Sequence, residues 1–278
     1  MNNTDLKKTT QGIRIILYVA SFLVLSVGLS LYLLSEKTDM YFSWTINPPL
    51  TAAFLGAGYL ASFVTELLAA RERIWARARI AVPGVLVFTI LTSIVTFIHL
   101  DKFHFDSPVF ITQAGTWVWL IIYISVPIAL GILWALQTRQ PGIDPPRVAT
   151  LSAWMRTTLI VQGAIMVLFG GVMLLFPEMT IPLWPWKLSA LTSRAIGAWG
   201  VGIGVIALHA SWENDWERLW PMFSGYLVYG TLQAINLLRY PGALDWTRFS
   251  ALAYVIFVVS VLLAGAFGAW KTWRINNS

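Results

Sequence analysis

The sequence predicts an all-α integral membrane protein of eight transmembrane helices, arranged as two parallel tandem four-helix repeats. Three observations carry this. The 278 residues are 57% hydrophobic and only 12% charged, with a mean hydropathy of +0.68, whereas soluble domains carry about 25% charged residues. Apolar runs of about 20 residues, the length that crosses a hydrocarbon core of about 30 Å, recur along the chain. The third observation is internal duplication: much of residues 33–88 returns at an offset of 141 residues.

The copy is read position by position. Leu33-Leu34 recurs as Leu174-Leu175, Leu50-Thr51 as Leu191-Thr192 and Gly56-Ala57 as Gly197-Ala198. Glu72, Trp75 and Arg77 return as Glu213, Trp216 and Arg218, and the run from Gly84 to Phe88 as Gly225 to Tyr229. Beyond that the offset drops to about 135, pairing Trp119 with Tyr254 and Arg139 with Arg274. A period this long is one duplicated module and not a solenoid unit. The expected organisation is therefore a first repeat over residues 1–142 and a second over 143–278, joined at the Pro-rich linker 138–146.

The spans follow in order at 13–34, 50–70, 80–100, 114–137, 157–176, 191–210, 220–238 and 249–270. All should be helical, because lipid offers no partner to an open backbone hydrogen bond. The first is too long for a signal-peptide core and has no small-x-small cleavage site, so it reads as an uncleaved span. Lys and Arg fix the orientation. Thirteen of the nineteen fall on the side of the two termini and five on the other, with Arg194 inside a span. That bias places both termini in the cytoplasm. Four helices per repeat is an even number, so the second copy inserts in the same sense as the first, about a pseudo-twofold axis along the membrane normal.

Composition also excludes functions. With no Cys there is no thiolate metal site or cysteine nucleophile, and three scattered His make no metal cluster. The +6 net charge follows the topology bias and, with no basic soluble domain, does not point to nucleic acid. The chain has no phosphate loop, dinucleotide fingerprint, zincin helix or serine elbow. No cofactor is expected, and enzyme chemistry is disfavoured.

Arg194 is the most unusual residue, because an ionisable group inside a span is costly and so marks a candidate site. It lies just inside the sixth span, after possible N-caps at Ser189 and Thr192 and the aromatic shelf Trp184-Pro185-Trp186. One reading is an anion-favouring site for a lipid headgroup or carboxylate. The other is a guanidinium that snorkels to the interface or pairs with Glu178. Glu66, in the inner part of the second span, is either a proton-coupling carboxylate or one that leans toward Arg71 and Arg73. Gln233 and Asn236 share a face of the seventh span. They form either an interhelical hydrogen-bond network or the polar lining of an outward cavity. Glycines at 56, 58, 197, 200 and 204 suit close helix packing, predict helices two and six at the centre and offer faces for oligomer contact. Most of the fifteen Trp sit near span ends and read as an interfacial belt.

The stretch from Trp184 to Trp199 resembles a motif of bacterial multi-pass membrane proteins to which no activity is attached. Lys187 and Ala190 stand where that motif has Pro. The resemblance implies a bacterial membrane origin and, with the charge bias, a place in the cytoplasmic membrane. The functional expectation is a bilayer protein that binds or moves a small amphipathic molecule or lipid, including an anionic lipid. Its ligand residues would be Arg194, Trp184, Trp186, Gln233, Asn236 and Glu66. The alternative is a structural subunit that packs against partner helices without transport. A binding protein should contain a cavity reaching Arg194, Gln233 and Asn236; a scaffold should have a filled centre and an apolar outer groove.

The charge bias makes its own test. Reporters fused after Gln140 and after Ser278 should be active only as cytoplasmic reporters, and a periplasmic signal at either site would overturn the orientation.

Overall fold

The computed structural model of the chain describes residues 6–276; the Ser278 terminus assigned above lies outside that range. Eight long helices carry the fold among the described residues. They are α1 (Gln11–Leu33), α2 (Pro49–Arg71), α3 (Val82–Ile98), α4 (Phe110–Thr138), α5 (Ala153–Leu175), α6 (Ala190–Glu213), α7 (Trp216–Arg239) and α8 (Phe249–Asn276). Their starts are set locally. Thr10 accepts from the Ile13 amide, Ser189 and Thr192 form a capping box, and Asp215 accepts from the Glu217 amide. These side chains satisfy amides that have no partner within the helix. Helix α6 stops at Asn214, whose φ of 48° is left-handed and ends the helical run.

Six of the eight are long and apolar enough to cross a membrane, which makes this a multi-pass helical membrane chain. The other two are α3, of 17 residues, and α7, which carries a polar face. The third expected span, 80–100, begins later than expected. A short helix, Trp75–Ala78, precedes it and is broken from α3 at residues 79–81, whereas α7 runs unbroken from Trp216.

Neighbouring helices pair along the chain, and two contacts between distant helices, α2 with α7 and α3 with α6, join the pairs. Helix α1 lies along α2, α2 along α7 and α7 along α8. In the other half of the bundle α5 lies along α6, α6 along α3 and α3 along α4. Two four-helix groups result: α1, α2, α7 and α8 from the two ends of the chain, and α3 to α6 from its middle. Helices α2 and α6 are the most enclosed, with 67% and 56% of their apolar windows buried. They meet mainly where Gly58 and Tyr59 receive Trp199, whose ring lies 4.8 Å from that of Tyr59.

Of the glycines expected at this centre, Gly58 alone faces across α2 and α6, while Gly56 and Gly197 act elsewhere. A Cβ on Gly56 would come within 2.7 Å of the Tyr32 amide on α1, and one on Gly197 within 2.6 Å of the Gly170 carbonyl on α5. They are close-approach points of the α1–α2 and α5–α6 pairs, so these faces are occupied within the chain. The aromatic belt also needs correction. Trp44, Trp75 and Trp216 are buried, while Trp212, Trp246, Trp270 and Trp273 are exposed. Trp44 belongs to an interior cluster with Phe42, Phe103 and Trp119.

The Arg-rich face is tied by one fully buried carboxylate. Glu213, at the end of α6, accepts from Arg79 before α3, from Arg218 on α7 at 2.8 Å, and lies 3.2 Å from the His209 ring. Arg79 also reaches Asp144 in the linker at 2.6 Å. Arg147 donates to the Glu213 and Trp212 carbonyls. Four segments meet there. Removing one partner of a buried pair strands the others and costs about 3–5 kcal/mol. Glu213→Ala should therefore lower unfolding stability by that order, and Glu217→Ala, whose partner Arg77 is partly exposed, by about 1 kcal/mol or less. Equal losses in a denaturation series would remove Glu213 from this central role.

Candidate functional site

A cavity of about 720 Å³ lies among α5, α6, α7 and α8, backed by α2. Ile165, Phe169 and Met173 of α5 form one wall, and Phe249, Ala253 and Phe257 of α8 the opposite one. Ile196, Trp199 and Ile203 of α6 line its depth, with Phe54, Tyr229 and Tyr254 behind. Gly170 and Gly200 face each other across the α5–α6 contact and bring little side-chain bulk to the space. The roof is the segment from Pro182 to Pro185, and Arg248 stands at its rim. The lining is aliphatic and aromatic, a surface suited to an apolar body.

Two hydrogen bonds hold the roof. Arg248 Nη1 donates to the Pro182 carbonyl at 2.9 Å, and the Asp245 amide to that of Pro185 at 3.1 Å. Arg248 is also paired with Asp245 at 2.8 Å. Trp184 lines the cavity and packs on Trp186, with ring centroids 5.0 Å apart. Trp186 is buried, and its Nε1 donates to Thr51 of α2 at 2.8 Å. The Trp-Pro-Trp segment thus folds inward as a lid element instead of lying as a shelf beside Arg194.

The other expected ligand residues lie outside this chamber. Gln233 and Asn236 are fully buried behind it. Gln233 Nε2 donates to the Phe54 carbonyl at 3.1 Å, while its Oε1 accepts from Asn236 and from the Tyr254 hydroxyl, each at 3.1 Å. The interhelical network is the arrangement found, and it joins α2, α7 and α8. It also sets the back wall, because Phe54 and Tyr254 both line the chamber. Arg194 Nε donates to the Leu174 carbonyl at 3.1 Å and its Nη1 to His99 Nε2 at 2.9 Å. It thereby satisfies a carbonyl at the end of α5 that has no helical partner. Its partners are these two, not Glu178.

Glu66 does not lean toward Arg71 or Arg73, whose side chains are exposed. It is buried, and its Oε1 accepts from Ser62 at 2.7 Å. A second cavity of about 40 Å³, among α2, α3, α6 and α7, is lined by Ser62, Tyr226 and Met222. It shares Trp199, Ile203 and Tyr229 with the large chamber. His104 bonds the Phe42 carbonyl and Thr45. Among the described residues, no group of three or more His, Asp and Glu is placed to hold a metal ion.

Sequence reasoning found Trp184 but missed Met173, Trp199, Ala253 and Tyr254. A signal for them existed. At the 141-residue offset Trp199-Gly200 stands opposite Gly58-Tyr59, so the aromatic ring is displaced by one position and Gly200 leaves its own face of the helix bare. Comparison with protein-family models, with curated proteins and with solved structures finds no match to this chain.

The His99–Arg194 bond has a pH signature. Arg194 is the donor, so His99 Nε2 must keep its lone pair. Burial, and after it the Arg194 guanidinium, hold the His99 imidazole below its ordinary value; Asp101 opposes this and Lys102 adds to it. A depressed folded-state value means that the unfolded chain protonates first. Stability should be full above about 6.5, fall as the pH drops below that, and level off once His99 protonates in the folded protein. Thermal melts from pH 8 to 5 should show this fall in the parent and a smaller one in His99→Gln. Identical pH profiles would separate His99 from the effect.

Proposed function

We propose that this is a polytopic protein of the bacterial cytoplasmic membrane, with both termini inside, that binds or moves a small amphipathic molecule or lipid in the chamber between α5 and α8. The observation that carries the reading is the chamber itself: about 720 Å³ of apolar space held open by a hydrogen-bonded roof and back wall. The chamber does not reach Arg194, Gln233 or Asn236, as the binding reading expected, but its volume and its hydrogen-bonded roof support binding over a scaffold with a filled centre. The absence of a converging carboxylate or histidine group at its walls favours binding over catalysis.

In this reading all eight helices cross the bilayer as two parallel repeats. Equivalent contacts made twice support it. Arg14 on α1 donates to the Ala70 carbonyl on α2, and Arg156 on α5 to the Ser211 carbonyl on α6. Arg79 bonds Glu213, and at the same offset Trp220 bonds Glu72. The crossed packing of α2 on α7 and of α6 on α3 is likewise one contact used twice. At about 1.5 Å per residue the 17 residues of α3 reach about 26 Å, and the preceding short helix extends that toward a full crossing.

A fatty alcohol carrying a diazirine, photolysed with the purified protein, tests the binding reading. Adducts should map to Met166, Met173 and Tyr254, and Ala253→Trp, which narrows the mouth, should reduce them about tenfold, a change of about 1.4 kcal/mol. Adducts confined to lipid-facing residues such as Ile121 and Ile128 would leave the chamber without a ligand.

A further inference from the structure

The outline of the chamber narrows what enters it and from which side, an inference that rests on the binding reading above. The outer end is closed by the bonds from Arg248 and Asp245 to the roof segment. The opposite end is closed where Gln162 Nε2 donates to Ser260 Oγ at 3.0 Å, joining α5 to α8, and further along where Trp154 packs on Phe267 at 4.9 Å. The back is fixed through Gln233. What stays unstitched is the seam between α5 and α8 from Ile165 to Met173 on one side and from Phe249 to Phe257 on the other. The side chains along that seam face the surroundings: Ile165 is 54% exposed and Phe249 81%.

Length and chemistry then select the occupant. Nine residues of helix on either side of the seam, eight rises of about 1.5 Å, make a slot about 12 Å long, parallel to the helices. One leaflet is about half of a 30 Å hydrocarbon core, so the slot matches a single leaflet in depth and runs in the direction of its chains. The interior polar groups near the roof are already committed or enclosed. The Tyr254 hydroxyl serves Gln233, while Trp184 Nε1 and Ser250 Oγ have no hydrogen-bond partner but are buried. A polar head drawn inside would exchange its hydration for at most these two enclosed groups, which is costly. At the rim, in contrast, the Arg248 and Asp245 side chains are about half exposed, and Trp246 is 56% exposed beside them. That is the amphipathic composition of a headgroup level.

We propose that the chamber is loaded sideways, through the α5–α8 seam, by a hydrocarbon chain of a membrane lipid from the leaflet opposite the Arg-rich face, with the lipid's head held outside at the Arg248–Trp246 rim.

The test uses the full-length protein in vesicles of phosphatidylglycerol, doped in one arm with a lipid carrying a diazirine at mid-chain and in the other with one carrying it in the head. The chain probe should label Met166, Met173 and Tyr254 inside, and the head probe should label Trp246 and Arg248. Ala253→Trp should cut the interior adducts about tenfold while leaving labelling of Ile121 and Ile128 on α4 unchanged. Phe249→Ala, which opens the mouth, should raise them and guards against a folding defect in the first variant. If the chain probe marks only outer surfaces while the free fatty alcohol still marks the chamber walls, the lipid proposal fails and the binding reading stands. If neither probe reaches the walls, both fail. A second copy or a co-purifying helix found covering the seam would also overturn the proposal.

Discussion

One buried carboxylate constrains the arrangement of the whole bundle. Glu213 carries no solvent exposure, so its charge must be met by the protein, and it is met by Arg79, Arg218 and His209 together. Each comes from a different place: the start of α3, the start of α7 and one turn back on α6 itself. Satisfying the charge therefore brings α3 against α6 and fixes the turn from α6 into α7. Asp144 shares Arg79 and so anchors the connection between the two halves of the chain. Apolar packing in a bilayer is weakly directional, because lipid tails are as apolar as leucine and helices gain little by leaving them. A buried, fully paired charge is directional. It makes alternative pairings, such as α3 against α2, expensive, since they would leave Glu213 unmatched.

The crossed packing explains the chamber. With α7 drawn against α2 and α6 against α3, helices α5 and α8 become the outer members of two different groups, and they meet only along an edge. Nothing requires that edge to close. At the Arg-rich end it is closed by Trp154, Phe267, Gln162 and Ser260. At the other end the interior of the equivalent region of the first copy is filled: Tyr59, Phe88, Trp119 and Tyr123 pack in one cluster, with the Tyr59 and Tyr123 hydroxyls 2.8 Å apart. Where the first half has Gly58-Tyr59 the second has Trp199-Gly200, so the aromatic ring stands one position earlier on the helix and the face of Gly200 carries no side chain. The surrounding network of Gln233, Asn236 and Tyr254 keeps the walls from collapsing into that space.

How much of this was legible in the sequence depends on the range of the interaction. The eight helices were, because hydropathy and length are local; the cap at Ser189 belongs to the same class. The Trp positions were half legible. Nearness to a span end does not say whether a ring faces lipid or core, and Trp44 and Trp216 turned inward through contacts that only tertiary packing sets. Arg194 was recognisable as costly, and a pairing with Glu178 was one reading, but the partner found, His99, lies 95 residues away. Glu66 was placed on the basis of helical neighbours, yet Arg71 and Arg73 follow the exposed side of the chain while Ser62, one turn back, meets it. The chamber was the least legible feature. A cavity is made of absent atoms, and only comparison of the two copies, Trp199-Gly200 against Gly58-Tyr59, carries a trace of it.

The environment also determines what such a chamber can select. In water its apolar walls would attract any hydrophobic ligand, at about 25 cal/mol per Å² removed from solvent. A ligand arriving from the bilayer is already out of water, so that contribution is largely absent. What remains is the difference between packing against mobile lipid chains and packing against fixed walls, together with the ordering that binding imposes. Rigid aromatic walls favour the second contact only for a shape that fills them. Here Phe54 and Tyr254 are pinned through Gln233, and Trp199 is held between Tyr59 and Phe88 at ring distances of 4.8 and 4.1 Å. Selectivity would then rest on the width of the seam and on the shape of the walls, not on hydrophobicity. The buried Gln233 and Asn236 of α7 thus act on the chamber indirectly: they do not line it but hold still the residues that do.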